Sequence, residues 1–420
     1  MARMPIRPRN LAVLGNLAVL AVAAAFLFLV PAVGARAQDA AFDAWLNGVR
    51  RDAATAGISQ ATIEAALTGL APIERVLELD RRQPEFTRTF WSYLDRAVTR
   101  DRIERGRALV AKHGELLRRI QRRYNVQPAY LVAFWGLESD FGKHTGGFSV
   151  IGALATLAYD ARRGAFFRAQ LLDALRILDQ GHVSAAEMEG SWAGAMGQLQ
   201  FIPSTFVNYA VDFDGDGRRN IWTDLPDVFA SAANYLSSIG WRGDEKWGRE
   251  VRLPADFDWE MASLSLRKPL EEWRRLGIRR SDGGALPVAD ISGAIVAPGG
   301  HKGPAFLVYG NFDKILHWNR SLLYAIAVGH LADRIAGRGP LYAARPAKEE
   351  PLSRAQVEEM QGLLAALGFD AGEPDGVVGS RTRAALRAFQ RRAKVPPDGY
   401  PTPELLASIR RSASGRGQAN

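Results

Sequence analysis

Apolar positions are spaced differently in successive parts of this chain. Between Ala41 and Tyr124 they recur at helical intervals, as at Trp45, Val49, Ile58, Ile63 and Leu67, with Arg and Glu interspersed. That spacing predicts a helix-rich scaffold with one polar face. Gln127-Pro128 then reads as a helix start, because proline at the first turn gives up only an amide that would be unpaired anyway. The stretch that follows, Tyr130 to Gly142, reads YLVAFWGLESDFG and predicts a helix to about Ser139 that stops near Gly142. Further helices are expected over Ser149–Tyr159 and Phe166–Asp179, the latter closed by Gly181. Another opens at Pro203, and the next spans Pro226–Ile239.

Past Trp241 the pattern changes. Ala294-Ile295-Val296-Ala297 and Ala305-Phe306-Leu307-Val308-Tyr309 are short apolar runs either side of Pro298-Gly299-Gly300, which predicts a small hairpin. Helix is expected again from Lys314 to Ile335. Residues 337–351 are rich in Gly, Pro and Ala and read as a linker. Leu352 to Ile409 reads as a compact unit of about three helices, and residues 412–420 as a disordered tail. No internal repeat is evident.

The N-terminus reads as a leader. Arg3, Arg7 and Arg9 precede an apolar stretch, Leu11 to Val33, and Ala35-Arg36-Ala37 is a small-residue site predicting cleavage before Gln38. An uncleaved anchor is the alternative, since the stretch is long for a leader. The expected location is periplasmic. The chain has no cysteine, which rules out a lipid on an N-terminal cysteine and any need for disulfides. The net charge is +9, but Arg3, Arg7, Arg9 and Arg36 lie in the leader, and removing those four leaves +5. That mild excess fits an acidic envelope polymer and is only weak evidence for nucleic acid, which an exported protein seldom meets, so no nucleic-acid partner is expected. With 47% hydrophobic and 24% charged residues, 420 residues suffice for two or more domains with cores of their own.

Three blocks carry candidate chemistry. Glu138 follows Phe134, Trp135 and Leu137 near a helix C-terminus. Greasy surroundings and the helix dipole both disfavour its charged form, which suits a proton donor to a glycosidic oxygen. A capping or ion-paired glutamate is the plain alternative. No clear second carboxylate emerges: Asp140 would point away from Glu138 or sit in a turn, and Glu187 and Glu189 flank the next block. That block, Ser191 to Phe206, reads SWAGAMGQLQFIPSTF. Gly194 and Gly197 permit close backbone approach, Ser191 and Gln200 offer neutral hydrogen-bonding groups, and Phe201 can meet a sugar ring. A tight loop leading into the Pro203 helix would use the same residues. The third block, DFDGDGRRNIWTDLPD from Asp212, begins like a calcium loop: Asp212, Asp214, Asp216, Gly217, the Arg218 carbonyl and Asn220 stand at its first nine positions. Position 12 is Thr223, not Glu, so Asp224 or Asp227 would close the site; a solvated acidic turn is the alternative. In the last unit, Pro374-Asp375-Gly376 is a turn, and Arg383, Arg387 and Arg391 share a helix face suited to a wall-binding bundle, a DNA-docking helix or plain solvation.

With these residues in hand, Lys112 to Ile335 resembles the membrane-bound lytic transglycosylase B family, through ESDFG, GAMGQLQFIPST and DFDGDGRRNIW in that order. The C-terminal unit resembles the common three-helix peptidoglycan-binding domain through DGVVGSRTRAALRAFQ. The resemblance implies a mainly α fold: a lysozyme-like catalytic core at about 126–240, within a catalytic domain at 38–336 that has an additional helical domain and a small β region. The peptidoglycan-binding domain spans 352–411. It implies Glu138 as the single catalytic acid, with Ser191 beside it and Gln200, Phe201, Tyr235 and Tyr324 lining the sugar cleft. Trp318 stands where a tyrosine is expected, keeping the aromatic surface without the hydroxyl. It implies a structural Ca2+ on Asp212, Asp214, Asp216, Arg218 and Asp227, and no organic cofactor. Missing the cysteine of lipid-anchored members, the chain is expected to be a soluble periplasmic form. The expected activity is cleavage of peptidoglycan glycan strands between N-acetylmuramic acid and N-acetylglucosamine, leaving 1,6-anhydromuramoyl ends. Cell-wall synthesis or division complexes are candidate partners. A muramidase-type hydrolase and a non-catalytic wall-binding protein are the two rivals.

Overall fold

The computed structural model describes residues 30–81, 88–346 and 350–416. Most of the expected leader therefore lies outside the described residues, as do positions 347–349 of the linker and 417–420 of the tail. No helix among the described residues is long and apolar enough to cross a membrane.

The centre of the molecule is the helix Pro128–Ser139. It is apolar on all sides, so it is stable only when surrounded. Tyr130 to Gly136 are accordingly buried without a break. It packs against the helices Arg100–Lys112, Gly114–Tyr124 and Leu322–Ile335, while Val150–Tyr159 pairs with Gly164–Asp179 alongside. The N-terminal helices Val30–Thr55, Gln60–Leu67 and Glu74–Arg81 cover the latter pair. Val49, Ile58, Ile63 and Leu67 are buried there, as their spacing predicts, while Trp45 packs partly buried at the edge.

The β region is a five-stranded antiparallel sheet, ordered Lys268–Pro269, Ser292–Val296, Ala305–Val308, Gly248–Arg252, Arg279–Arg280. The predicted hairpin forms its middle, with Ala294 opposite Val308 and Val296 opposite Phe306. Successive strand residues face opposite sides of a sheet. Here Ala294, Val296, Phe306 and Val308 join the main core, while Ile295, Ala305 and Leu307 join a second small core around Trp273 and Leu270. Burial on both faces explains why these strands read as unbroken apolar runs.

Two expectations change. The single helix expected from Lys314 to Ile335 is two helices, Gly310–Trp318 and Leu322–Ile335. Asn319 leaves the helix in an extended conformation, and the Ser321 hydroxyl accepts a hydrogen bond from the Tyr324 amide to start the second helix. The last helix, Pro403–Arg416, also runs past the point where a disordered tail was expected.

The C-terminal unit forms the three expected helices, Arg354–Ala366, Ser380–Arg392 and Pro403–Arg416, around Leu364, Leu386, Phe389 and Ile409. Two Pro-Asp-Gly turns, Pro374–Gly376 and Pro397–Gly399, fasten it alike. Buried Gln361 donates to Asp375 and accepts from the Gly376 amide; buried Gln390 does the same with Asp398 and Gly399. Asp398 also joins this unit to the sheet. Its Oδ2 accepts from the His301 amide at 2.8 Å and lies 2.6 Å from His301 Nδ1, while Arg391 pairs with Glu260. One residue of the predicted basic face is thus spent on the neighbouring unit. The segment after Ile335 is also tied down, Glu250 accepting from the amides of Tyr342 and Ala343, both at 2.7 Å.

Burial pushes the pKa of His330, on the Leu322–Ile335 helix, from its ordinary 6.5 down to about 4. A group depressed in this way stabilises the fold fully above pH 6.5, and that contribution is lost as pH falls toward 4, because only the unfolded chain takes up the proton. Thermal unfolding between pH 7 and pH 4.5 is therefore expected to show a falling Tm, with His330 contributing up to about 3 kcal/mol. In His330→Leu the slope should flatten; an unchanged slope would remove His330 from the account.

Candidate active site and cation loop

Glu138 lies in the last turn of the Pro128–Ser139 helix, where chain reversal is enforced by two consecutive non-glycine residues in the left-handed region. Asp140 has φ 50° and Phe141 φ 62°. Such conformations are strained and persist only where neighbours hold them. Arg105 does so. Its Nη1 is 3.0 Å from both Asp140 carboxylate oxygens, its Nη2 donates to the Asp140 carbonyl at 3.0 Å, and its guanidinium lies 4.7 Å from the Phe141 ring centre. The hydrogen bond and charge of Arg105 outweigh partial burial and hold the Asp140 carboxyl below its usual range. Asp140 is thus a turn residue occupied by arginine.

Two donors converge on one oxygen of Glu138. The Trp318 indole N–H donates to Oε1 at 2.8 Å, and the Tyr324 hydroxyl donates to the same Oε1. They come from the two helices flanking the Asn319–Ser321 break. Burial and the Glu138 charge raise the Tyr324 phenol well above its ordinary pKa, so it stays a donor. Trp318 lacks the hydroxyl of the expected tyrosine, as its identity requires, and its indole supplies an N–H to the carboxylate in its place. Trp318 also rests on a bed of aromatic rings. Phe134 lies 4.4 Å from it, Tyr235 5.1 Å and Phe201 5.3 Å between ring centres, and Tyr209 lies 4.7 Å from Tyr235 with its ring tilted by 40°. Phe201 is only 2% exposed, so it backs this bed and does not present a surface to a sugar. The Tyr235 hydroxyl lies 2.9 Å from His317 Nδ1, and burial pushes its pKa up to about 12.

The loop between the Gly164–Asp179 and Pro203–Tyr209 helices has its own internal bonding. The Ser191 hydroxyl accepts from the amides of Ala193 and Ala195, which leaves its O–H as a donor. Gln200 spends both amide hydrogens on the carbonyls of Thr145 and Gly197, each at 2.9 Å, so it can offer a ligand only its oxygen. Gly197, at φ 64°, is required: a Cβ would lie 2.6 Å from the Ile221 carbonyl oxygen.

Gln198, which the sequence reading passed over, ties these parts together. Its Oε1 accepts from the Trp135 indole at 2.7 Å, its Nε2 donates to the Trp222 carbonyl at 2.8 Å, its amide donates to the Ile221 carbonyl, and its carbonyl accepts from Ser139 at 2.7 Å. It therefore bridges the helix end bearing Glu138 to the acidic loop. An amide between glycine and leucine in a tight loop was the available signal.

In that loop, carboxylate oxygens of Asp212, Asp214 and Asp227 lie within 4.8 Å of one another. Asp227 is buried, and its oxygens accept from the amides of Phe213 and Asn220 at 2.7 Å each. Burial lifts its carboxyl to about 6, with Asp224 and Asp214 adding repulsion. Three carboxylates so placed repel unless a cation offsets them, so the donor set fits a hard, oxygen-binding ion. Asp216 is outside this trio, accepting from the Arg218 amide. Asp224 caps the helix Leu225–Ser238 through the Asp227 amide, leaving Asp227 to close the loop. The other acids weighed as partners of Glu138 are accounted for: Glu187 is exposed and bonded to Ser184, and Glu189 is exposed on a short strand.

Residues 41–333 match the transglycosylase SLT domain model, and residues 353–409 a peptidoglycan binding domain model. Membrane-bound lytic murein transglycosylase B of Escherichia coli K12 is 31% identical over 259 residues, covering 58% of this chain and 66% of that relative. SltB3 of Pseudomonas aeruginosa, solved in complex with NAG-anhNAM-pentapeptide, is 49% identical with a TM-score of 0.85, over 88% of this chain and 99% of that one. The lytic transglycosylase Slt35 of E. coli, solved in complex with calcium, is 25% identical with a TM-score of 0.61, over 69% of this chain and 92% of that one.

Gln198→Leu would leave the Trp135 indole and the Trp222 carbonyl without partners, at an expected cost of about 2–4 kcal/mol. Denaturant unfolding should show that loss; a change below about 0.5 kcal/mol would mean the bridge carries no weight.

Proposed function

Starting from the fact that the chain belongs to the transglycosylase SLT domain family, with a peptidoglycan-binding module behind it, we propose that it is a periplasmic lytic transglycosylase of peptidoglycan. The carrying observation is one carboxylate, Glu138, held on a single oxygen by Trp318 and Tyr324. With both lone pairs of Oε1 accepting hydrogen bonds, the transferable proton belongs to Oε2. From there it passes to the glycosidic oxygen between N-acetylmuramic acid and N-acetylglucosamine, and the bond from C1 breaks. Positive charge develops at C1 with help from the muramoyl acetamido group. The Glu138 carboxylate then takes the proton of the C6 hydroxyl, and O6 bonds to C1 to close a 1,6-anhydro ring. Trp318 and Tyr324 stabilise the charge left on Glu138 between the two steps. The nucleophile is part of the substrate, already positioned, so a second protein acid is not required. An inverting hydrolase would need one to activate water, and Asp140, Glu187 and Glu189 are engaged or exposed elsewhere.

Asp212, Asp214 and Asp227, with the Arg218 carbonyl, would hold a structural Ca2+. That ion would neutralise the loop to which Gln198 anchors the Glu138 helix end.

Products of purified peptidoglycan, analysed by mass spectrometry, should be one water lighter than hydrolysis products. In Glu138→Gln release should fall by about 10³-fold or more. Reducing-end products at full mass would make the protein a hydrolase, and undiminished release by the variant would displace Glu138. Chelation should lower Tm by a few degrees, about 2–3 kcal/mol of lost linkage. Added Ca2+ should restore it in the native chain but not in Asp214→Ala; no calcium response in either would refute the ion.

A further inference from the structure

The helix Gly310–Trp318 carries Trp318 at its very end. Nine residues long, it is too short to be stable alone, so its neighbours decide its placement. Its start is pinned. Buried Asn311 accepts from the Arg242 amide at 2.8 Å through Oδ1, and donates through Nδ2 to the carbonyls of Arg242 and Glu245 at 2.7 and 2.8 Å. Phe312 and Ile315 are buried along the middle. The end has no such hold from the backbone. Asn319 turns to an extended conformation, and the last carbonyls of a helix have no amide partners within it. At 1.5 Å per residue, Trp318 lies about 10 Å along the axis from Asn311. A tilt of about 5° at Asn311 would therefore move the helix end by about 1 Å. Such a shift matters to an indole N–H that has to stay 2.8 Å from Glu138.

His317 closes that end. Its Nδ1 lies 2.9 Å, and its carbonyl oxygen 3.5 Å, from the hydroxyl of Tyr235 on the Leu225–Ser238 helix. Burial keeps the phenol protonated, so it donates and Nδ1 accepts. Tyr235 is itself a fixed point. It is 7% exposed, with Tyr209 4.7 Å away and the Phe201 ring edge-on at 5.8 Å. Tyr209 is tied in turn, its carbonyl accepting from the Asn234 side chain at 2.8 Å. At 3.6 residues per turn, His317 and Trp318 project about 100° apart. They therefore brace the helix end in two directions, one toward Tyr235 and the other toward Glu138. The His317 side chain is exposed, so core filling does not account for it.

We propose that His317 is a positioning residue for the reaction: by holding the Tyr235 hydroxyl it fixes the end of the Gly310–Trp318 helix, and with it the indole N–H that Trp318 gives to Glu138. The proposal rests on the reading of Glu138 as the acid. His317 acts through its neighbours. It keeps Tyr235 against Trp318, ring centres 5.1 Å apart, and it anchors the residue next to the indole in the chain. With this end released, the indole spends part of its time out of reach of Oε1. That donor matters most when Glu138 is charged, between the two steps, so its loss falls on kcat.

Turnover of glycan strands by His317→Ala and His317→Asn, each also in the Trp318→Phe background, tests the role. An asparagine places an amide oxygen near the position of Nδ1, so it can still accept from the phenol. His317→Ala should lose about fivefold in kcat with KM within about twofold of native, and His317→Asn should recover most of that loss. In Trp318→Phe there is no indole N–H left to align, so adding His317→Ala should cost less than about twofold. A native kcat in His317→Ala, no recovery in His317→Asn, or the full loss persisting in Trp318→Phe would overturn the proposal. Hydrogen exchange at the 15N-labelled Trp318 indole, identified by its absence in Trp318→Phe, gives a measurement free of turnover. It should quicken about fivefold in His317→Ala and return to the native rate in His317→Asn; an unchanged rate in His317→Ala would also overturn the role. Failure of the peptidoglycan reading would look different, as no anhydro product from the native chain while the indole exchange still responds to His317.

Discussion

The Oε1 atom of Glu138 accepts two hydrogen bonds from side chains 180 and 186 residues away, and much of the architecture serves to bring them there. The helix carrying Glu138 has to end abruptly to leave its last turn accessible, which the left-handed pair Asp140-Phe141 achieves under the grip of Arg105. The two donors need different directions of approach, so the chain breaks at Asn319–Ser321 and restarts. Phe134 binds the arrangement by packing its ring against Trp318 from the acid's own helix. The phenol of Tyr324 is buried where its charged form is strongly disfavoured, so it can serve Glu138 only as a donor.

Around this centre the parts are coupled by few but specific polar contacts. Gln198 links the helix end at Ser139 to the loop bearing Asp212, Asp214 and Asp227, so order in the acidic loop and order at Glu138 are joined. On the far side, the sheet presents His301 to Asp398 of the peptidoglycan-binding module, itself fixed by Gln390. A buried carboxylate with several donors is costly to disturb, so this contact favours one arrangement of the two units.

Features whose physics is local were readable in the sequence. The all-apolar helix after Pro128, the acid at its end, the hairpin and the three C-terminal helices follow from periodicity and from proline and glycine positions alone. The resemblance pointed to Tyr235 and Tyr324 only as cleft residues, and the donation from Tyr324 to Glu138 emerges from the fold. The break before Leu322 was signalled by Asn319 and Ser321, a start signal that the continuous apolar pattern obscured. Other features depend on tertiary placement. Nothing near Trp318 says that its indole will meet Glu138, nothing near Gln198 says that it will bridge three segments, and Phe201 looks like a binding surface until Trp318 is laid over it. Asp216 fits the calcium pattern by spacing, yet the turn directs it to the Arg218 amide.

In the proposed mechanism a single acid acts in two steps, which demands that its charge be accommodated midway, and the oxygen shared by Trp318 and Tyr324 would meet that demand. The most direct test is a double-mutant cycle in kcat on glycan strands with Trp318→Phe and Tyr324→Phe. Because both groups serve one oxygen, each single change should cost about tenfold or more, and the double variant should lose less than the product of the two, with a coupling of about 1 kcal/mol or more. Strictly multiplicative losses, or single variants with native kcat, would contradict the claim that these two donors act together on Glu138.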